Sequence, residues 1–400
     1  MGILNDVFSP ISLRSATTAR NGGGFPFFGN SVTKSGSKIN ENSALTLGAF
    51  YNGVNLCTDD IAKLPKAVFQ KDGDNLNKLS DHPVHKLISE EPNPYQNPFN
   101  FWKYLCYCAI VKGNGYAKIV RDKATGNVVS LMHLDSDQVT PLKGSDKMYY
   151  KYKGNVIDGD DMIHLYFFST NGYSGTGIVT YAANSMGITL SGQTFVGDTF
   201  SNQGLSHGTL ETDMNVTADN KGKIENAFQT KMSSEGAHKV ALLDEGFKYK
   251  RITVTPAEAQ WLETDTRGII HICQFLNVAP HKLKHLDNSN YSNLQQMTIE
   301  HQQDSVMPRT VNIEQECRRK LFSDKEKMDH YIKFDLRSML RGDQKSRAEY
   351  YKTMVSFKLM TPNEVRKLEE LNPRKDGNEL LQMVNMMTEE QMKKQSNEPV

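Results

Sequence analysis

TPAEAQWLETDTRGIIHICQFLNVAPHKLKHLDNSNYSNLQQMTIEHQQDSVMPRTVNIEQECRRKL, residues Thr255 to Leu321, reads as two long helices joined by a short basic loop. Thr255-Pro256-Ala257-Glu258 is a capping box with proline at the first helical position. Leu262, Ile269, Ile272, Cys273 and Leu276 then recur on roughly one helical face. The run stops at Asn277-Val278-Ala279-Pro280. The loop from His281 to Ser292 carries Lys282, Lys284 and His285. Leu294, Met297, Met307, Val311 and Leu321 mark a second helix. Pro308 lies inside it, where a missing N–H and a ring clash predict a kink. The remaining surface is rich in Gln, His, Asn and Glu. Helices this polar seldom build a monomer's core, which suggests packing against copies of themselves.

Outward from this stretch the pattern is α+β. Residues 1–43 are rich in Gly, Ser and Asn and read as a flexible arm. Helical spacing over Leu45–Lys63 ends at Leu64-Pro65, and KAVFQ begins a strand. Asp72-Gly73 is a turn, HPVHKLIS a short helix, and Phe99–Val111 an aromatic helix stopped by Gly113-Asn114-Gly115. YAKIVRD, VVSLMHL, QVTPL, MYYKYKG and MIHLYFF read as strands of an antiparallel sheet, with a hairpin turn at Ala124–Asn127. Gly177–Gln203 reads as a long helix. Its Gly187, Gly192 and Gly197 recur every fifth residue, each costing about 1 kcal/mol relative to alanine. Close packing between subunits would offset that; a broken helix is the alternative. Thr209–Met214 is strand-like and Thr217–Ser233 helical. Lys239–Leu243 and Phe247–Thr253 form a hairpin around Asp244-Glu245-Gly246. KMDHYIKFDL is strand-like. Gln344–Phe357 and Pro362–Leu371 are helices, and 374–400 is a polar, Met-rich tail.

The chain has 400 residues, enough for two or three domains with a real core. Hydrophobic residues make up 38%, and no run approaches the ~20 apolar residues of a membrane helix. The first twenty residues lack the charged and apolar regions of a secretory signal. Asp6 stands where a myristoylation motif has Ser or Thr. Five cysteines without a CxxC pair read as buried free thiols. The formal net charge of +1 argues against tight duplex binding by a single chain.

Chemistry is sparse. No Gly-Lys-Ser/Thr sequence occurs, so a Walker A loop is excluded. Asp158, Asp160, Asp161 and His164 crowd together as two-metal nuclease ligands do, but a polar turn before a strand accounts for them as well. His281 and His285 are four apart, yet Ala279-Pro280 disfavours a helix there and no carboxylate completes an HExxH pattern. Tyr149, Tyr150 and Tyr152 alternate with Lys147, Lys151 and Lys153. Single-strand binding surfaces show such interleaving; a hairpin with tyrosines on its packed face is favoured.

The segment from Asn277 to Phe322, NVAPHKLKHLDNSNYSNLQQMTIEHQQDSVMPRTVNIEQECRRKLF, resembles the portal proteins of tailed bacteriophages of the HK97-like type. AKLP (62–65), PNPYQNPFNFW (92–102), KGNGYAKI (112–119), DDMIHLYFFSTNGYSGTG (160–177), LRGD (340–343) and TPNEVRKLEELNP (361–373) resemble other parts of that family in order. The resemblance covers roughly Leu45–Pro373. It implies an α+β, multi-domain portal fold. A wing of mixed helices and antiparallel strands would begin at 44–176, after the arm 1–43. The stem helices would be 177–203 and 255–277, flanking a small αβ clip at 204–254. A tunnel loop (278–292), a kinked wing helix and strand (293–339), crown-like helices (340–373) and the tail 374–400 would follow. The function implied is a non-enzymatic subunit of a dodecameric ring, through which double-stranded DNA passes at one capsid vertex. Partners implied are the large terminase subunit, capsid or scaffolding protein and head-completion adaptors, in a virion assembled in bacterial cytoplasm. No cofactor, metal or membrane is implied. The channel loop would present Lys282, Lys284, His285, Asn288 and Asn290. The motor would dock at Asp244, Glu245 and Gly246, and Gly187, Gly192 and Gly197 would pack between subunits. The alternatives are a metal-dependent nucleic-acid hydrolase and another viral capsid or connector subunit.

Overall fold

A computed structural model describes residues 9–10, 31–33, 38–201, 208–212, 217, 221–224, 226, 248–251, 257–283, 297–340, 344–369 and 371–380. The chain divides into two units, Met1–Phe334 and Asp335–Val400. Every strand pair among the described residues is antiparallel.

The first unit opens with short strands β1 (Ser9–Pro10), β2 (Ser31–Val32) and β3 (Lys38–Ile39). Where it is described, the arm expected over 1–43 is therefore tied down. β1 pairs with residues 142–143, β2 pairs with β3, and Ile39 is buried. Asn40 then caps helix α1 (Glu41–Leu45), accepting from the Ser43 N–H. The single helix expected from Leu45 is broken, because Leu47 turns extended and drives its side chain into the core. Helix α2 (Gly48–Ala62) buries Phe50, Val54, Cys57 and Ile61, a stripe at helical spacing. β4 (Lys66–Asp72) and β5 (Asn75–Lys78) make a hairpin around the expected Asp72-Gly73 turn, with Gly73 at φ 56; β5 itself went unread.

Helices α3 (Pro83–Ser89) and α4 (Pro98–Tyr107) both start on proline, whose missing N–H costs nothing at the first turn. Trp102 is fully buried and donates its indole N–H to the Ile88 carbonyl. α4 widens into a π-helix over Cys108–Lys112 and stops at Gly113, φ 91.

β6 (Gly115–Arg121), β7 (Val128–Leu134), β8 (Val139–Lys143), β9 (Met148–Tyr152), β10 (Asn155–Asp158) and β11 (Met162–Leu165) follow. They form two sheets where one was expected, ordered β11-β6-β7 and β1-β8-β9-β10. β10 went unread in the sequence. Its short Asn-Val-Ile-Asp run carries one buried side chain, and a two-residue turn with Lys153 (φ 47) and Gly154 (φ 86) joins it to β9. Tyr116, Tyr150, Ile157 and Met162 pack between the two sheets.

Helix α5 (Ile178–Ser201) is continuous, so its glycines do not break it. β12 (Gly208–Glu211) pairs with β13 (Lys248–Arg251). Residues 221–224 are helical, as expected within 217–233. The proposed hairpin strand 239–243 and its turn lie outside the described residues. Helix α6 (Ala257–Leu276), the helix that runs from residue 297 into α7 (Met307–Leu321), and β14 (His330–Phe334) complete the unit. β14 pairs with β4, on the side opposite β5. The main core gathers Phe50, Val54 and Cys57 of α2, Ala182 and Met186 of α5, and Ile272, Cys273 and Leu276 of α6. Burying each of the larger of these, Phe50, Val54, Met186, Ile272 and Leu276, contributes about 1.5–3 kcal/mol.

In the second unit, helices α8 (Gln344–Ser356) and α9 (Pro362–Leu368) appear where expected. Thr361 and Glu364 form a capping box on α9. Buried Asn363 bonds residues 374, 377 and 378, folding the following segment back on the helix.

Candidate functional site

The basic loop is defined by the two roots from which it leaves the fold. α6 ends in a Schellman motif: Val278 N–H bonds the Cys273 carbonyl, and Asn277 N–H bonds that of Gln274. Asn277 occupies the left-handed position at φ 53. A 3-10 turn follows over Pro280–Leu283, and Leu283 is buried against α2. Gly53 makes this possible, because a Cβ there would strike the Leu276 side chain and touch Leu283. Lys282 lies half-buried on this turn. His281 is half-buried too, and burial, with Lys282 adding, holds its imidazole below the usual pKa. Lys284, His285, Asn288 and Asn290 lie outside the described residues.

The second root is the helix that runs from residue 297 into α7. Sequence reasoning placed the kink at Pro308; the register slips one turn earlier, in a π-helix over His301–Val306. Proline at the start of α7 removes an N–H, and the looser turn accommodates it. His301 is fully buried and its Nε2 lies 2.8 Å from Asp60 Oδ2 on α2. Burial alone would push the Asp60 carboxyl up. Hydrogen bonds from His301 and Lys63 outweigh this and leave it below its ordinary value. Arg309 donates to the Leu276 carbonyl at 2.7 Å, closing the end of α6. Sequence reasoning missed Asp60, His301 and Arg309, since each finds its partner through the fold.

The start of α5 is anchored by Asn114. Its Oδ1 accepts from the Gly175 N–H at 2.7 Å, and its Nδ2 donates to the Gly175 carbonyl at 3.0 Å. Of the three α5 glycines, Gly187 faces Thr33 of the same chain, where a Cβ would lie 2.7 Å from the threonine. Gly192 is half-buried, and the Cβ position of Gly197 meets open space. The close approach between α5 and α6 falls elsewhere, at Gly268 against Thr189.

The acidic cluster does not converge. Asp158 pairs with Lys147, Asp160 with Lys320 and Asp161 with Arg121. His164 is buried on the neighbouring strand, with Nε2 2.8 Å from Asn114 Oδ1 and Nδ1 3.2 Å from the Tyr150 hydroxyl. Burial, with Arg319 and Lys320 adding, pushes its imidazole down to about 3. It is a neutral core residue. Among the described residues no three His, Cys, Asp or Glu side chains are grouped to hold a metal. Tyr150 and Tyr152 pack inward with Met148, whereas Tyr149 points to the other face beneath Lys147. No described helix is long and apolar enough to cross a membrane. Asp244, Glu245 and Gly246 lie outside the described residues.

Comparison with known proteins assigns this architecture. The phage portal protein family model matches residues 48–370. The portal protein of Enterobacteria phage HK97 is 27% identical over 350 residues, covering 85% of this chain and 82% of its own length. The probable portal protein of Streptomyces phage phiC31 is 24% identical over 364 residues, covering 86% and 79%. Among solved structures, an HK97-family portal protein from Corynebacterium diphtheriae matches with a TM-score of 0.59 at 16% identity, over 75% of this chain and 96% of its own. A chain from the neck of a native gene transfer agent particle, computed with C12 symmetry, matches with a TM-score of 0.54 at 17% identity, over 84% and 94%. The mixed helices and antiparallel sheets described above are thus a portal fold, and the chain belongs to the phage portal protein family.

Proposed function

We propose that twelve copies of this chain close into a ring at one vertex of a phage capsid, with a central channel for double-stranded DNA. The observation that carries this reading is the family match across 48–370, joined to the C12 symmetry of the neck that contains a similar chain. A heterologous contact repeated by one rotation closes into such a ring. In this reading α5 and α6 are stem helices and 204–254 is the clip. The segment after Lys282, including Lys284, His285, Asn288 and Asn290, faces the duplex. Its contacts are with phosphates and carry no sequence information. The large terminase subunit docks at Asp244, Glu245 and Gly246 during packaging, and head-completion adaptors take its place afterwards. Capsid or scaffolding protein surrounds the wing. The subunit is structural rather than catalytic, is assembled in the bacterial cytoplasm and remains in the virion.

The exposed face of α5 fits a subunit contact. Tyr181, Ile188 and Phe195 recur at seven-residue intervals and are each about half exposed. Asp198 is the one charged residue in the whole helix. Gly192, four residues after Ile188, would let a neighbouring helix approach beside that stripe, whereas Gly197 falls on the opposite side of the helix. Mass photometry of the purified chain tests the proposal: the expected particle contains about twelve 45.1-kDa chains. A monomer or dimer with metal-dependent nuclease activity would favour the hydrolase instead.

A further inference from the structure

The second unit has caps and turns but no core of its own. Among its described residues Asn363 and Gly377 are buried, and no apolar side chain is. Its local structure is nonetheless closely specified. α8 ends in a Schellman motif: Leu359 N–H bonds the Met354 carbonyl, Lys358 N–H bonds that of Val355, and Lys358 takes the left-handed position at φ 57. The Tyr351 hydroxyl donates to the Glu369 carboxylate at 2.7 Å, tying α8 to the end of α9. Helices of 13 and 7 residues are marginal in water and draw their stability from packing an apolar face. Here that face is open. Tyr350, Phe357, Leu359 and Leu371 are 42, 55, 65 and 52% exposed. Tyr350 and Phe357 are seven residues apart, on one side of α8 and its last turn.

The exposed charges point to the cover. α8 presents Glu349 and Lys352, and α9 presents Glu364 and Lys367, each a Glu-x-x-Lys pair on an exposed side. α8 of one copy laid antiparallel to α9 of another sets each glutamate opposite a lysine. Between Asp335 and Leu380 the unit carries ten Lys and Arg against eight Asp and Glu, so two copies of it are not driven apart. We propose that in the ring each second unit is completed by that of the next copy. Tyr350, Phe357 and Leu359 of one copy pack against Leu371 and the exposed side of α9 of its neighbour, and Glu349 and Lys352 meet Lys367 and Glu364. The apolar side chains supply the strength of this contact, and the charges set its register. The contact is heterologous, so one rotation repeats it around the ring. The inference rests on the ring reading and adds to it the two surfaces that meet.

The experiment uses the full chain with Leu359→Cys, Leu371→Cys, or both. These side chains are exposed, so each variant should keep the parental circular dichroism. The five native cysteines are buried and do not compete for reagent. Size exclusion separates rings from ring-free chain, with masses checked by mass photometry; the Ile188→Asp background supplies ring-free chain where the parent has none. In rings of the double variant a short bismaleimide should join chain to chain, giving a ladder of 45.1-kDa steps on a denaturing gel, and either single variant should give far less. Maleimide labelling of Leu359→Cys alone should be about tenfold slower in rings than in ring-free chain. Rings that give no ladder, or that label at the ring-free rate, overturn the proposal and leave the ring reading standing. Slow labelling already in ring-free chain shows that the same chain provides the cover, and also overturns it. A parent that forms no ring refutes the ring reading, and this inference with it.

Discussion

Replacing Asp60 with alanine removes the carboxylate that bonds His301 in the core of the first unit. The Asp60 side chain is 5% exposed and that of His301 is 0% exposed, so neither group has water as a substitute partner. Removing one member of such a buried pair costs about 3–5 kcal/mol, mostly from stranding the other. The ion pair with Lys63 adds little, because that lysine is largely exposed. Urea unfolding of the parent, Asp60→Ala, His301→Ala and the double variant gives the coupling directly. The two single losses should exceed the loss in the double variant by at least about 1 kcal/mol. The pH dependence has a definite sign. The folded Asp60 pKa is depressed, so its contribution is complete above the unfolded value of about 3.9 and fades as pH falls through the lower folded value. The Asp60 carboxylate's part of the penalty should therefore shrink below about pH 3.9. Additive single losses, or a penalty undiminished well below about pH 3.9, would refute the reasoning.

Gly53→Val should destabilise the first unit by about 1–3 kcal/mol, because the new methyls meet Leu276 and Leu283; an unchanged urea midpoint would contradict the packing described. Ile188→Asp should leave the monomer fold intact by circular dichroism. It should remove roughly 1.5–3 kcal/mol from each proposed subunit contact, shifting mass photometry from rings to small species. Lys282→Ala with Lys284→Ala should assemble normally yet package or retain DNA less well, with a shallower salt dependence. Parental packaging at every salt concentration would remove the loop's charge from the account.

Much of the fold was legible because apolar spacing and punctuation agreed. Phe50, Val54, Cys57 and Ile61 announce α2, Ile272, Cys273 and Leu276 announce the buried end of α6, and Gly113 and Gly73 sit where left-handed backbone is required. The break at Leu47 was not legible, since helical spacing continues through it and only tertiary burial of Leu47 turns the chain. β10 was hidden by its shortness. Pro308 announced a kink, but the π-helix before it bonds Asn277 and Asp60, partners that are distant in sequence. The acidic run at 158–161 shows the opposite failure. Composition put the carboxylates together, whereas turn geometry aims each at a different cation. Glycine spacing in α5 marked residues that play different parts, Gly187 inside the chain and Gly197 in the open.

The most direct test of the portal account is a cryo-EM reconstruction of the purified full-length chain without imposed symmetry. The account predicts a ring of about twelve subunits, with α5 and α6 around a central hole wide enough for a DNA duplex and Lys282 on the channel side. A closed particle without a hole, or a ring that carries Lys282 on its outer surface, would contradict it.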